Sequence, residues 1–254
     1  MKKLLIANWK MYPHTSREAR DLALCTLAGV RGSKNTEVVL CPSFVHLPIV
    51  AEAVGAKGHI VLGAQDVSGA TEKDGAFTGE VSAKQLRSFG ARFVLIGHSE
   101  RRALGETNEI VHKKLKTALE IGLRPVLCVG EREREKEVAF PPLVKEELHS
   151  ALSKIKRSLL GKLVIAYEPV WAISSRHRGA DTPRNIFEMS ILIRRELCRI
   201  AGKKIAFRIP IIYGGSVDAG NAASFVREGM VDGLLVGSAS LDAKKFTEIV
   251  RRIS

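Results

Sequence analysis

Cysteine is sparse in this 254-residue chain, and none of it is paired: Cys25, Cys41, Cys128 and Cys198 are scattered without a C-x-x-C. Cys41 and Cys128 fall in apolar runs that read as buried. This pattern excludes a disulfide framework and favours a reduced, cytoplasmic protein. The seven histidines include no H-x-x-x-H or H-E-x-x-H pair, so nothing asks for a metal. No G-x-G-x-x-G follows an apolar run, which removes the usual signature of a dinucleotide site; no cofactor is expected. No segment approaches the roughly 18 apolar residues of a membrane span. The opening MKKLLIANWKM begins basic, but its apolar run, Leu4 to Ala7, is broken by Asn8 and Lys10 and is too short for a secretory signal. Linkers rich in proline or serine and low-complexity tracts are also missing, so residues 1–254 read as one domain.

Charge of one sign is in excess. Lysine and arginine outnumber aspartate and glutamate by 40 to 27, a net +13, which raises nucleic-acid binding as a competing hypothesis. The basic pairs Lys113/Lys114, Arg194/Arg195, Lys203/Lys204, Lys244/Lys245 and Arg251/Arg252, with Lys116, are dispersed over predicted helices. No aromatic residues interleave with them as a stacking platform would require. A solvated basic surface without specific nucleic-acid recognition is the simpler reading.

What the chain has in quantity is short apolar runs. Eight recur: Leu4 to Ala7, Val38 to Cys41, Ile60 to Ala64, Phe93 to Ile96, Pro125 to Val129, Leu163 to Tyr167, Ile209 to Tyr213 and Leu234 to Val236. Stretches of helical spacing lie between them, such as Ile110/Val111/Leu115/Ala118/Leu119 closed by Gly122. Eight strand–helix units predict an α/β fold with a closed, eight-stranded parallel barrel; an open doubly wound sheet is the alternative. The EREREKE run after Cys128 reads as the solvated start of a helix.

In such a barrel the residues just past each strand converge on one face. Those positions hold Asn8, Trp9 and Lys10 after the first strand, Gly97-His98-Ser99-Glu100-Arg101-Arg102 after the fourth, and Glu168 after the sixth. Gly214-Gly215-Ser216 follows the seventh strand and Gly237-Ser238 the eighth. The two small-residue turns each precede a helical segment, where backbone N–H groups can hold a phosphate dianion. Ser99 is a plausible N-cap, and an imidazole beside a helix N-terminus is discouraged from protonating, leaving His98 a neutral donor. In Leu163–Ile173, a buried strand ends on Glu168, Pro169 stops the ladder, and Val170-Trp171-Ala172-Ile173 is too apolar for a solvated loop. With the polar tip SSRHRGAD and Pro183 opening a helix, it reads as a lid over a basic carboxylate.

The stretches ANWKM (7–11), GHSERR (97–102), CVGE (128–131), AYEPVWAI (166–173), YGGSV (213–217) and DGLLVG…ASL (232–241) resemble the triosephosphate isomerase family, in order and spacing across essentially the whole chain. The resemblance implies a single (β/α)8 TIM barrel that interconverts dihydroxyacetone phosphate and glyceraldehyde 3-phosphate, in glycolysis and gluconeogenesis, without cofactor or metal. It makes Glu168 the base and His98 the neutral electrophile. Lys10 and Asn8 would support the substrate oxygens, and Glu100 would contact Lys10. Backbone N–H groups of Ser174, Ser216, Gly237 and Ser238 would hold phosphate, and Tyr213 with Ser216 would latch the lid. The long polar stretch 65–82 would project into a second copy and reach its site through Thr78, giving a homodimer. The lid tip departs from the family's glycine-rich I-G-T-G and is about two residues longer, which puts the Ser174 contact and the latch in question. Two other readings stay open: a barrel aldolase using Lys10 as a Schiff base, and a basic nucleic-acid binder.

Overall fold

The structure is a computed structural model that describes residues 2–55, 59–70, 75–133, 140–173 and 181–254. Its strands are β1 (Lys3–Asn8), β2 (Thr36–Cys41), β3 (Ile60–Ala64), β4 (Phe93–Ile96), β5 (Arg124–Val129), β6 (Val164–Tyr167), β7 (Ile211–Tyr213) and β8 (Gly233–Val236). The helices among the described residues are α1 (Ser16–Val30), α2 (Leu47–Val54), α3 (Ala83–Ser88), α4 (Ser99–Ala103), α5 (Asn108–Ile121), α6 (Pro142–Leu152), α7 (Arg157–Leu160), α8 (Pro183–Ala201), α9 (Lys203–Ala206), α10 (Ala222–Arg227) and α11 (Ala243–Ile253). Every neighbouring strand pair is parallel, and β1 pairs with β8 to close the barrel in the order β1 to β8.

Alternation along the strands builds two cores. Leu4, Ile6, Val39, Cys41, Phe93, Leu95, Val126, Cys128, Val164 and Ala166 fill the barrel interior. Their neighbours, such as Leu5, Ala7, Leu40, Val94 and Ile165, face outward into the helix-packed layer. A strand buried on both faces has no polar alternation, which is why each reads as a plain apolar run. Helix ends are set locally: α5 is capped by the Thr107 hydroxyl on Ile110 N–H and stops at Gly122, whose φ of +87° only glycine takes without strain.

Three sequence expectations need correction. β7 begins at Ile211 rather than Ile209, because Pro210 has no N–H to give the ladder and the Asp232 carboxylate takes the Ile211 N–H at 2.9 Å. The helix after β5 begins at Pro142, not in the EREREKE run; Arg132 and Glu133 are bends, and residues 134–139 lie outside the described residues. Lys114 is not solvated: it is buried on α5, with Nζ bonded to both oxygens of Asp66 (2.7 and 2.8 Å) and to Glu106.

Candidate active site

The carboxyl ends of the strands surround a cleft of 390 Å³ whose walls include Asn8, Lys10, His98, Glu168, Gly214, Gly215, Gly237 and Ser238. Glu168 follows β6 directly and is almost wholly buried. Its N–H bonds to Val129 O at 2.8 Å, and Gly130 packs so tightly on its carbonyl that a Cβ there would lie 1.8 Å from the oxygen. The side chain is held from two sides. Oε2 accepts from the Ser99 N–H at 3.2 Å, and Oε1 stands 3.5 Å from His98 Nε2. Gly214 supplies room: a Cβ at that position would come within 2.8 Å of Glu168 Cγ.

His98, rather than Ser99, is the N-cap of α4. Its Nδ1 accepts from the Glu100 N–H at 3.2 Å. A nitrogen that accepts from an amide carries no proton, so the ring is the neutral tautomer with its proton on Nε2, the atom facing Glu168. Gly97 makes this turn possible with φ of +73°.

Lys10 sits in the left-handed region at φ +54°, a conformation that a lysine holds only when its surroundings over-determine it. They do so here: Asn8 Oδ1 takes its N–H at 3.0 Å, and the Gln65 amide donates to its carbonyl at 2.7 Å and to Cys41 O at 2.9 Å. Its Nζ bonds Glu100 Oε1 at 2.5 Å, and its stem lies beside Gly237. Gly237 and Ser238 open the short 3-10 turn Ser238–Leu241. Ser216 is turned differently: both its N–H (3.1 Å) and its hydroxyl (2.9 Å) donate to Ala172 O, so its N–H is spent on the 3-10 turn Val170–Ala172. Ser174 and the tip through Ala180 lie outside the described residues. Tyr213 is fully buried, with its hydroxyl against Gly215; burial first and Asp181 second hold its phenol protonated well above the ordinary range. Thr78 is exposed and lies outside the cleft, in the wall of a second hollow beside Phe77, Arg101 and Lys114.

Three positioning residues, Gln65, Glu131 and Glu147, escaped the strand-end reading because it passed over the ends of β3 and β5 and the helices behind them; a fourth, Arg102, was read at its strand end but without a role. Gln65, just past β3, holds Lys10. Glu131, just past β5, accepts from Tyr167 Oη at 2.8 Å and Trp171 Nε1 at 3.0 Å, which ties the Val170–Ala172 turn to the end of β6. Arg102 donates from Nε to Gly97 O (2.9 Å) and faces Glu147 Oε1 at 3.3 Å, while Glu147 Oε2 takes the Gly130 N–H at 3.0 Å. This pair, with Glu147 buried and Arg102 partly so, ties the turn before His98 to the one beneath Glu168. Burial lifts the Glu147 carboxyl to about 7, against the opposing pull of Arg102 and the Gly130 N–H.

A buried carboxylate facing a neutral imidazole, an ammonium and two Gly/Ser turns at one barrel mouth are the parts of a (β/α)8-barrel acid–base enzyme. The triosephosphate isomerase family model matches residues 3–253. The chain is 41% identical over 249 residues to a triosephosphate isomerase of Roseiflexus sp. (strain RS-1), covering 97% of this chain and 96% of that protein. It is 38% identical over 252 residues to that of Aquifex aeolicus (strain VF5), covering 98% and 99%. The chain belongs to the triosephosphate isomerase family.

Proposed function

We propose that this cleft carries the family's reaction, the interconversion of dihydroxyacetone phosphate and D-glyceraldehyde 3-phosphate, with Glu168 moving a proton between C1 and C2. The 3.5 Å approach of Glu168 to His98 Nε2 carries the assignment, because it puts base and donor side by side at one cleft, within reach of the same small substrate. A carboxylate base beside a neutral histidine under a closing loop is the established pattern for this family. A carboxylate is a weak base toward carbon, and positioned acid–base help is worth only about 10²–10⁴-fold. The enediolate therefore needs stabilising as it forms. The His98 Nε2 proton, Lys10 Nζ and the Asn8 amide serve this role; an oxyanion donor of this kind is worth about 3–4 kcal/mol. His98 passes protons between the two oxygens. Gly237 and Ser238 N–H groups bind the unreacting phosphate, and Lys10 adds positive charge beside it. Ser216 N–H joins them once the hinge releases Ala172 O, and Ser174 N–H contributes from the lid, which Tyr213 latches. The phosphate's binding energy thereby closes the lid over the reaction. The aldolase alternative is disfavoured because Lys10 Nζ is bonded to Glu100 at the mouth.

A homodimer is part of the proposal. The neck of the 65–82 stretch is fixed by Ser68 N–H on Val81 O at 2.8 Å and by the Asp66–Lys114–Arg101 ion cluster, which suits a projecting arm that places Thr78 at the other copy's site. Met11, Val45, Phe77 and Leu104, past four consecutive strands, are all exposed. Such a patch suits burial against a second copy. Among the described residues no helix is long and apolar enough to cross a membrane, and the reaction is assigned to the cytoplasm.

The test is a coupled assay for dihydroxyacetone phosphate formed from glyceraldehyde 3-phosphate. Glu168→Asp, which draws the carboxylate back by about one methylene, is expected to lower kcat about 10²-fold. Near-normal turnover would remove Glu168 as the base. Borohydride with dihydroxyacetone phosphate is expected to leave no adduct on Lys10, and sedimentation of an active monomer would overturn the dimer.

A further inference from the structure

The barrel collects at one end the charge that looks dispersed in sequence. The connection from α6 to β6, residues 153–163, carries Lys154, Lys156, Arg157 and Lys162 without a carboxylate. The next one, from α8 to β7 (202–210), carries Lys203, Lys204 and Arg208, again without one. β6 and β7 are adjacent, so these connections lie side by side on the end of the barrel opposite the cleft. All seven cations are exposed, and none is in an ion pair with a described residue. Helix macrodipoles do not account for them: two helix C-termini present only about one unit of negative charge between them. Contrary to the sequence reading that no aromatic stands among the basic residues, Phe207 lies in their midst and is 62% exposed, with the Arg194 guanidinium over its ring at 5.8 Å.

We propose that this face binds single-stranded nucleic acid without sequence preference, its lysines and arginines on successive phosphates and Phe207 stacking on a base. Adjacent connections lie within about one Debye length of each other at 0.1 M salt, so their fields reinforce. Lysine-rich clusters attract phosphate as point charges, without the bidentate geometry that reads bases. Phe207, already stacked on a guanidinium, offers the aromatic surface that bases stack on. An anionic bilayer would be served by several apolar side chains at one level, whereas Phe207 is the only large apolar residue exposed in the two connections.

The experiment is fluorescence anisotropy of a labelled mixed-sequence 20-nucleotide single-stranded RNA with the full chain, over a salt series. With about five phosphates neutralised, log K is expected to fall against log salt with a slope of about −3.5. The variant Lys154→Glu/Lys156→Glu/Lys203→Glu/Lys204→Glu is expected to weaken binding at least tenfold and bring the slope toward −1. Phe207→Ala is expected to weaken it about fivefold or more. A control of equal charge change at the other end, Arg17→Glu/Arg20→Glu/Lys244→Glu/Lys245→Glu, is expected to change binding no more than threefold. Both quadruple variants should retain isomerase activity, which shows that they fold. Equal weakening by the two sets, no RNA binding, or binding to phosphatidylserine vesicles in place of RNA would each overturn the proposal.

Discussion

Glu147→Gln tests the electrostatics beneath the cleft most directly. Glu147 is buried behind Gly130, and burial raises its carboxyl from an ordinary 4.5 to about 7. The neutral form is thus favoured in the folded chain relative to the unfolded one. Its contribution to stability is complete below about pH 4.5 and is lost as pH rises through about 7, where the folded state must hold a desolvated carboxylate. With each pKa unit worth about 1.4 kcal/mol, the change across that window is about 3 kcal/mol. Glutamine has the same shape and keeps an oxygen for the Gly130 N–H, but it never ionises. Its amide also turns a donor toward Arg102 Nε, which adds an offset of about 1–3 kcal/mol that does not vary with pH. The informative quantity is therefore the difference between the two proteins as a function of pH. Equilibrium urea unfolding at pH 4.5, 6, 7 and 8, at one protein concentration, is expected to show the variant gaining about 3 kcal/mol on the natural chain between the first pH and the last. A difference that stays flat within about 0.5 kcal/mol would mean that Glu147 is ionised at the same pH folded and unfolded, and the reasoning would fail.

Three further outcomes follow from the geometry. Gly214→Ala places a Cβ 2.8 Å from Glu168 Cγ and must displace that side chain; kcat is expected to fall about 10²-fold with KM little changed, and unaltered kcat would show that Glu168 has slack. Gln65→Leu strips the carbonyls of Lys10 and Cys41 of a shared donor; a loss of about 1–3 kcal/mol in stability together with a raised KM is expected, and an unchanged KM would mean that Lys10 keeps its conformation unaided. Lys10→Met removes the ammonium beside Gly237 and should raise KM and lower kcat together, read by the coupled assay; an unchanged kcat/KM would take Lys10 out of the site.

The eight apolar runs are legible as strands because a parallel strand covered on both faces by helices and barrel core admits no polar alternation. Asn8, Lys10, His98 and Glu168 are legible for a related reason. Polar residues placed directly after such runs can only stand at the barrel's mouth. Sequence spacing carries less information on who holds these groups. His98 displaces Ser99 as the cap because the Gly97 turn brings its ring onto the Glu100 N–H, a matter of backbone direction that residue types do not encode. Glu147 looks like one more charge on an amphipathic helix, and only the packing of α6 against the β4 and β5 turns makes it a buried partner of Arg102 and Gly130.

The order and burial of the strands, and the identity of the groups at their ends, belong to the sequence itself, since both follow from hydrophobic pattern and chain position. Tertiary structure alone decided how those groups are oriented and supported, and that lysines separated by fifty positions share one face. Such distances arise from closure of the sheet, which brings together residues with no local relation along the chain.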